Sequence, residues 1–434
     1  MTDPQAADVG VVEQMAPYAQ AEANVGFIMK EGTPATHDRG VLFLGPWQKA
    51  GDGFSEHVRR QARALSLADV PVHLRAPAAR VQETTKDERA LMAAYQDLAM
   101  KSVGTYGAQV NMVVPHSDYL TKLVRGSLRH YSVDQQAHIN AHRAVYTVWE
   151  RQAGMSPGDV AAFNACGQAW VASNQAKALL ASSGVETDTR VFPCPFFPDD
   201  PHLAFNERER SRGPVTFYHV GKWEPRKAQH QMLGSFLRAV KPGEALFVLK
   251  TSSRFPVTDG EYPDSPADSL AHWLDNDAAV RANGWSRESI NRGVILIASF
   301  ISEEKMLALH RTGDVYLTLS RGEGFDMPAF DAKLSGNLMV YTPSGGPQDF
   351  AGELDQRVES TGTVPADPFY DWPEDATYLD YDMDAAAAAI QAAMKEVRDG
   401  RRIRGVSLAG FEAHSVGAAM ARALDEIGWR GDPG

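Results

Sequence analysis

Residues 320–346 of the chain, SRGEGFDMPAFDAKLSGNLMVYTPSGG, contain the pattern that decides the fold. They begin where an apolar run, VYLTLS, ends as a strand would, and a tight GEGF turn follows. Pro328 suits the first turn of a helix, where a backbone N–H is not needed, and Gly336 suits its end. A second apolar run, LMVYT, then leads to two glycines. This order predicts strand, loop, helix, strand and loop, which is an α/β unit.

Two acids in this stretch are predicted to face one crevice. Glu323 lies in the turn, and Asp331 lies about one helical turn into the helix. Open α/β sheets bind their ligands in the crevice outside the carboxyl ends of the strands. The amides of Gly324, Phe325 and Asp326 at the helix start suit a negatively charged group. Acids for hydroxyls and a helix start for phosphate favour a nucleotide sugar, and an ordinary strand-turn-helix with two solvated acids is the alternative.

The same residues resemble a known family. Glu-Gly-Phe-x-x-Pro, with an acid eight residues after the Glu and then Gly and an apolar strand, is similar to the donor site of retaining GT-B glycosyltransferases of family 4. In that family the second acid is Glu, so Asp331 is a conservative departure. Asp326 stands where Gly is usual, which would restrict how closely the loop approaches the donor. The resemblance implies a donor site that includes Glu323, Gly324, Phe325, Asp326, Met327 and Asp331.

A basic loop after an earlier predicted strand would complete that site. The run VTFYHV is followed by GKWEPRK, which carries Lys222, Arg226 and Lys227. The loop resembles the family's Gly-Arg-x4-Lys pattern, with Lys222 in place of Arg. Cations at a strand end suit a pyrophosphate leaving group because they neutralise the charge that grows as the glycosidic bond breaks. A solvated basic turn is the alternative.

The resemblance implies two further donor contacts, one to the phosphates and one to the nucleotide base. The loop after the predicted strand VLFLG contains Gly51 and Gly53 and resembles the glycine loop that approaches the donor phosphates. A plain strand-to-helix turn explains these two glycines equally well. The nucleotide base is expected against the backbone of Phe300 and Ile301.

The candidate acceptor residues follow two other predicted strands. AVYTVWE predicts a strand that ends on Trp149 and Glu150. Many relatives carry a His at this strand end, near the reacting sugar, and Trp149 stands in its place. His116, which follows another predicted strand, is a candidate substitute, although a lone His in such a position is more often structural. Glu150 suits a contact to a sugar or a solvated loop position.

Length and composition limit the class of protein. With 434 residues the chain is long enough for two domains, and a net charge of −12 argues against a nucleic-acid partner. Two cysteines outside any zinc pattern, no secretory signal and no long apolar run favour a cytoplasmic protein. A predicted helix at 119–131 places Lys122, Arg125 and Arg129 on one face. Peripheral docking at the inner membrane face and a solvated charged face both remain open there.

Two groups of acids resemble metal sites, and we interpret both as structural. Asp275-Asn276-Asp277 lies in helix-like sequence and is expected at the surface. Asp380, Asp382 and Asp384 precede an alanine-rich helix, and Asp384 is expected to cap it. We therefore expect neither a metal nor another resident cofactor.

The patterns predict an α/β protein, and the resemblance implies the GT-B fold, with two Rossmann-like domains facing across a cleft and a last helix that crosses back to the first domain. A Pro-rich and then charged stretch at 193–214 suits an interdomain boundary. The expected parts are an N-terminal extension (1–40), an N-terminal acceptor domain (41–205), a C-terminal nucleotide-sugar donor domain (206–410) and a helix returning to the first domain (411–434).

The resemblance implies a reaction that moves a hexose from a nucleotide diphosphate sugar to a hydroxyl of a glycan, a lipid-linked acceptor or a small molecule, with retention at the anomeric carbon. Glu323, Lys227 and Lys222 are the expected catalytic residues, and Arg226 is expected to help bind the donor. The leaving phosphate would take the acceptor proton, so no protein nucleophile is needed. A sugar-nucleotide epimerase or hydrolase on the same fold and a non-catalytic GT-B scaffold are the alternatives.

Overall fold

The computed structural model of the chain describes residues 40–48, 52–75, 89, 106–113, 132–203, 213–252, 262–367, 372–400 and 408–430. Two six-stranded sheets and one two-stranded hairpin contain the strands of these ranges. The chain passes from the first sheet to the second between Val191 and Val215. The predictions at Gly51, at His116 and for the basic face of 119–131 lie outside the described residues.

The first sheet is parallel and lies in the N-terminal half. Its strands are β1 (Gly40–Leu44), β2 (Val72–Arg75), β3 (Tyr106–Val113), β4 (Arg143–Thr147), β5 (Gln168–Val171) and β6 (Thr189–Val191). The order in the sheet is β2-β1-β3-β4-β5-β6. Strand β4 is buried along its whole length, as expected for a strand of a parallel sheet that helices cover on both faces.

Four described helices accompany this sheet. They are α1 (Gly53–Leu67), α2 (Val133–Ala141), α3 (Pro157–Asn164) and α4 (Asn174–Ser182). A polar side chain caps the N terminus of each helix, and the residues are Asp52, Ser132, Ser156 and Ser173. The caps satisfy amides that have no partner within the helix, which is why these helices begin where they do.

The second sheet is also parallel. Its strands are β7 (Val215–Val220), β8 (Ala245–Lys250), β9 (Val294–Ile297), β10 (Val315–Thr318), β11 (Leu338–Tyr341) and β12 (Gln356–Arg357). Their order is β12-β11-β10-β7-β8-β9. The chain therefore builds β7, β8 and β9 in one direction and then returns to place β10 on the other side of β7. The strand order reverses between β7 and β10, and such a switch point is where doubly wound sheets bind ligands.

The remaining described elements cover this sheet and join it to the first domain. The helices are α5 (Gln229–Ala239), α6 (Pro266–Asn276), α7 (Ala278–Ala282), α8 (Glu303–Thr312), α9 (Met327–Leu334), α10 (Pro347–Phe350), α11 (Met383–Arg398) and α12 (Ala413–Glu426). Strands β13 (Ser360–Pro365) and β14 (Thr377–Tyr381) form an antiparallel hairpin. Within the described residues, no helix combines the length and apolar character needed to cross a membrane.

The last helix, α12, returns to the N-terminal domain, as the sequence predicts. The amide of Ala413 donates to the carbonyl of Phe196 at 2.8 Å, and α12 lies along α1. A hydrophobic core shared by both halves of the chain includes Val58 of α1, Met420 of α12 and Phe330 of α9. The two parallel sheets with their helices and this returning helix make up a GT-B fold.

Three details differ from the sequence predictions. The β13–β14 hairpin was not predicted, because its strands are short and half exposed. Asp382, rather than Asp384, caps α11, and Asp384 is exposed and pairs with Arg238 at 2.8 Å. Asp277 is buried instead of lying at the surface, because it caps α7 and also binds Arg238.

The packing of α12 on α1 depends on Gly417. A Cβ at this position would lie 2.0 Å from the carbonyl oxygen of Ala64 in α1, so Gly417→Ala must push the two helices apart. We expect the free energy of unfolding to fall by about 1–3 kcal/mol, measured by thermal or chemical denaturation. Gly53→Ala is the control, since a Cβ there meets nothing within 4 Å. An unchanged stability of Gly417→Ala would show that the helices do not pack this closely.

Candidate active site

The two loops at the switch point of the second sheet meet each other. The loop after β7 closes in a short 3₁₀ turn, Pro225–Lys227, and the loop after β10 carries Glu323. The amide of Arg321 donates to the carbonyl of Arg226 at 2.8 Å, so the backbones of the two loops are joined. Side chains distant in sequence are thereby brought to one point at the carboxyl ends of adjacent strands.

Glu323 and Lys227 form a buried ion pair at this point. Nζ of Lys227 lies 2.5 Å from Oε1 of Glu323, and only 13% and 4% of the two side chains are exposed. Burial by itself would raise the pKa of Glu323, but Lys227 and Arg226 hold that pKa below its ordinary value. Burial would likewise lower the pKa of Lys227, and the carboxylate of Glu323 raises it above its ordinary value. Both groups are therefore charged at neutral pH.

Arg226 is occupied by protein groups. Its guanidinium lies 2.6 Å from Glu224, 3.1 Å from Glu150 and 3.5 Å from Glu323, and it also donates to the carbonyl of Gly322 at 2.6 Å. Burial opposes the charge of Arg226, but the surrounding carboxylates raise its pKa well above the ordinary value. Arg226 therefore ties the loop after β7 to the segment that follows β4 in the N-terminal domain and to the loop after β10. The predicted donor contact of Arg226 would need one of these bonds to be exchanged.

The loop that carries Glu323 packs against the end of β4 by backbone contact. A Cβ on Gly324 would lie 1.9 Å from Cγ1 of Val148, and one on Gly322 would lie 2.1 Å from the carbonyl oxygen of Glu150. Gly345 has φ +63° and lies against the carbonyl of Glu323. The amide of Glu323 donates to Oγ of Ser344 at 2.7 Å. Residues without a Cβ are needed here because a Cβ would overlap the carbonyl of Glu150 at Gly322, the side chain of Val148 at Gly324 and the carbonyl of Glu323 at Gly345.

Asp326 occupies the start of helix α9. It has φ +66°, a left-handed conformation, and is buried. One carboxylate oxygen accepts from the amide of Ala329 at 3.3 Å, and the other accepts from the hydroxyl of Thr318. Burial, and then the charge of Glu323, raise the pKa of Asp326 to about 6. Met327 follows as the buried first residue of the helix.

Asp331, which is predicted to contact the donor, forms an ion pair with the N-terminal domain. It pairs at 3.4 Å with Arg60 of α1, which also binds Glu56 at 2.7 Å and Asp200 at 3.5 Å. Asp331 thus links helix α9 to the N-terminal domain.

The other predicted site residues are dispersed. Lys222 is exposed, and no ion pair found in the described part of the chain includes it. Phe300 is 72% exposed and Ile301 is half-buried, beyond the end of β9. Gly53 is exposed at the first turn of α1. The structure therefore brings together Glu323, Lys227, Arg226 and Glu150, and leaves Lys222 outside that cluster.

Trp149 has a structural partner that the sequence analysis missed. The guanidinium of Arg151 lies 4.3 Å from the Trp149 ring centroid and 4.1 Å from that of Trp372, so it is held between two aromatic faces. Trp372 lies in the connection between β13 and β14 and donates to the hydroxyl of Tyr378 at 3.0 Å. Trp149 itself is buried and packs in the N-terminal core.

The β13–β14 hairpin closes one side of the site. The amide of Gln152 donates to the carbonyl of Thr377 at 2.8 Å, and the amide of Leu379 donates to the carbonyl of Arg321 at 2.9 Å. The hairpin thus touches both domains at the level of Arg226. Glu224 is buried and pairs with Arg226, and the sequence analysis did not identify it. An acid two residues before Arg226 in a basic loop is a pattern that could have predicted this pair.

No family model matches the chain, and no match is found among curated proteins. Solved structures do resemble it. OtsA, a trehalose-6-phosphate synthase, has a TM-score of 0.53 at 11% identity over 89% of this chain and 99% of that one. An E. coli structure described as trehalose-6-phosphate bound with UDP-2-fluoro glucose has a TM-score of 0.52 at 11% identity, over 90% and 97%. A sucrose-phosphate synthase from Thermosynechococcus elongatus has a TM-score of 0.50 at 14% identity, over 90% and 94%, and likeness at such identities establishes the fold.

Loss of a cation should destabilise the protein more than loss of an acid, because the cluster contains four carboxylates and only two cations among the described residues. The carboxylates are those of Glu150, Glu224, Glu323 and Asp326, and the cations are Arg226 and Lys227. Lys227→Met removes one of the two cations, and we expect it to lower the free energy of unfolding by about 3–5 kcal/mol. Glu323→Gln should cost less, since it relieves repulsion among the remaining acids.

Chemical denaturation of both single variants and of the double variant measures this difference. The double variant should be more stable than Lys227→Met alone. The exposed pair Arg287–Asp275, at 2.7 Å, is the control, and removing either partner there should cost less than about 1 kcal/mol. A larger loss for Glu323→Gln than for Lys227→Met would contradict the charge balance described here.

Proposed function

We propose that the chain is a retaining glycosyltransferase, which moves a hexose from a nucleoside diphosphate sugar to a hydroxyl of an acceptor. The observation that carries the proposal is the meeting of Lys227 and Glu323, which are 96 positions apart, at the switch point of the second sheet of a GT-B fold. A cation for the phosphates and an acid for sugar hydroxyls are the two groups that such a donor requires in one place.

Lys227 supplies charge to the leaving group in this proposal. Because its pKa lies above the ordinary value, the ammonium stays protonated while negative charge grows on the departing diphosphate. A positive group in a buried site acts through a low local dielectric and stabilises that charge more strongly than it would in water. Donor binding exchanges the bond from Lys227 to Glu323 for a bond to phosphate.

Glu323 orients the donor sugar. Its backbone is held on both sides, by the hydroxyl of Ser344 and by close contact with Gly345, so the carboxylate projects from a rigid turn. The depressed pKa of Glu323 keeps it an acceptor for sugar hydroxyls at neutral pH. Asp331 is assigned to the ribose, for which it must share or exchange Arg60.

Arg226 acts as a positioning residue and Lys222 as a second cation. The bonds of Arg226 to Glu150 and Glu224 hold the 3₁₀ turn from which Lys227 projects. Lys222 lies exposed on the same loop, where it can approach the diphosphate from the solvent side. The backbone of Phe300 and Ile301 is the proposed contact of the base.

Retention follows in this proposal from proton transfer on one face of the sugar. The leaving phosphate accepts the proton of the attacking hydroxyl, so the mechanism needs neither a protein nucleophile nor a metal. Support for a nucleotide-sugar donor comes from the similar E. coli structure, which is described with UDP-2-fluoro glucose.

The acceptor is a glycan, a lipid-linked sugar or a small molecule in this proposal, and the first domain binds it. Glu150 is the residue of that domain nearest the chemistry, since its carboxylate lies 3.1 Å from Arg226. Burial, partly offset by Arg226, raises the pKa of Glu150, which is the direction expected for a carboxyl that helps to bind an acceptor hydroxyl.

A second candidate is a non-catalytic GT-B domain that acts as a scaffold. The mutual pairing of Lys227 with Glu323 and the carboxylate of Asp326 at the helix start favour this alternative, because both neutralise groups that a donor would use. The scaffold hypothesis predicts no turnover with any nucleotide sugar.

Ligand binding and turnover separate the two candidates. We expect one of UDP-glucose, GDP-mannose, ADP-glucose or dTDP-glucose to raise the melting temperature in a thermal-shift panel, since a ligand of the native state stabilises it. With that donor and an acceptor, Glu323→Gln should lower kcat by about a hundredfold while the fold is retained. NMR of the product should show the anomeric configuration of the donor.

The control is Asp275→Asn, which makes the same change in charge at an exposed position in the second domain. It should leave kcat unchanged. Wild-type turnover by Glu323→Gln, or an inverted product, would refute the proposed mechanism.

A further inference from the structure

The start of helix α9 differs from an open anion-binding site. The first turn of a helix presents amides that have no partner within the helix, and a phosphate can accept from them. Here the amide of Ala329 already donates to the carboxylate of Asp326, and the hydroxyl of Thr318 donates to the other oxygen of the same carboxylate. The protein thus places its own anion where the donor diphosphate is proposed to bind.

The conformation of Asp326 indicates that this arrangement is held by the surrounding structure. Its φ of +66° is one that Gly adopts freely and most other residues avoid. Only three non-glycine residues of the described chain have positive φ, and the others are Asp69 and Ala228. The two hydrogen bonds of the carboxylate and its N-cap position offset the cost of this backbone.

The charges around Asp326 oppose a second anion. Asp326 and Glu323 repel each other, while Lys227, the cation next to both, is already paired with Glu323. A diphosphate diester brings two more negative charges to the same place. The buried carboxylate of Asp326 therefore repels the diphosphate and opposes its binding.

We propose that Asp326 sets the affinity of the site for the donor diphosphate, because its carboxylate occupies the helix start as an internal anion and must be neutral or displaced before the donor binds tightly. This inference rests on the proposed function and adds an affinity-determining residue to it. It implies that donor binding is weak at alkaline pH and strengthens as Asp326 takes up a proton.

The neighbouring groups do not titrate in the same range. Glu323 has a depressed pKa and stays ionised, and Lys227 has a raised pKa and stays protonated. Burial raises the pKa of Tyr316, which faces Asp326 from β10, well above its ordinary value. Burial lowers the pKa of His219, on β7, to about 4, so that this ring is neutral above that pH. Of these five groups, Asp326, with its pKa raised to about 6, is the one whose pKa falls between pH 5.5 and 8. Burial also raises the pKa of Glu150, whose carboxylate contacts Arg226.

The test measures the affinity of the wild-type chain and of Asp326→Asn for the four nucleotide sugars of the panel, by titration calorimetry at pH 5.5 and pH 8. These diphosphate diesters keep their charge between the two pH values. Asn is a good N-cap and tolerates positive φ, so this variant keeps the helix start while it removes the charge. At pH 8 we expect it to bind about tenfold more tightly than the wild type, and the wild-type affinity should rise by a similar factor at pH 5.5.

Asp326→Gly and Asp275→Asn complete the set. The Gly variant suits the φ of +66° and opens the helix start, so it should also bind tightly and lose the pH dependence. Asp275→Asn changes the net charge equally at a side chain that is 54% exposed, and it should bind as the wild type does. Thermal unfolding gives an independent reading. Because the pKa of Asp326 is raised in the folded protein, the free energy of unfolding falls as pH rises from the ordinary pKa of Asp to about 6. Asp326→Asn should therefore be the more stable protein at pH 8, and the difference should shrink towards pH 4.

The outcomes separate this inference from the proposed function. Tighter binding by the Asn and Gly variants supports the inference, including the case in which only the variants bind measurably. Equal affinities of variants and wild type at pH 8 overturn it and leave the proposed function standing. Absence of binding by every protein to every nucleotide sugar overturns both.

Discussion

The site depends on how two cations are shared among four carboxylates, three of which are buried. Lys227 pairs with Glu323, while Arg226 reaches Glu150, Glu224 and Glu323, so Glu323 is held by both cations. Isolated charges are costly to bury, and removing water strengthens both the attractions and the repulsions among them. The loops after β7 and β10 can therefore keep their conformation only together. An anion from solution that entered this cluster would have to compete with carboxylates that the protein already holds.

The arrangement requires both halves of the chain. Glu150 follows a strand of the first sheet, while Arg226 and Glu323 follow strands of the second. Gly322 lies against the main chain of Glu150 and Gly324 against the side chain of Val148, and Arg60 with Asp331 adds an ion pair between α1 and α9. The β13–β14 hairpin bonds to both sides of this junction. A motion that separated the domains would expose the acids and cations at once, which links the opening of the site to the stability of the molecule.

Much of the fold could be predicted from local patterns, while the site could be predicted only in part. The strands at 215–220 and 315–318 and the helix after Pro328 followed from apolar periodicity and from Pro and Gly positions, while the return of the last helix was implied by the family resemblance. Lys227 with Glu323 followed from motif order and strand ends. The engagement of Arg226 by carboxylates could not be predicted, because Glu150 reaches it from another domain.

The sequence by itself determined the elements, their α/β alternation and the placement of charged residues in loops after strands. It did so because burial of an apolar face and the dihedral limits of Pro and Gly act over a few neighbouring residues. Only the tertiary structure decided the partners: Asp331 with Arg60, Arg151 between Trp149 and Trp372, and Asp326 on the start of its own helix. These pairings depend on which side chains become buried against each other. That burial is set by the position of β10 beside β7 and by the packing of the two domains, which no local sequence pattern determines.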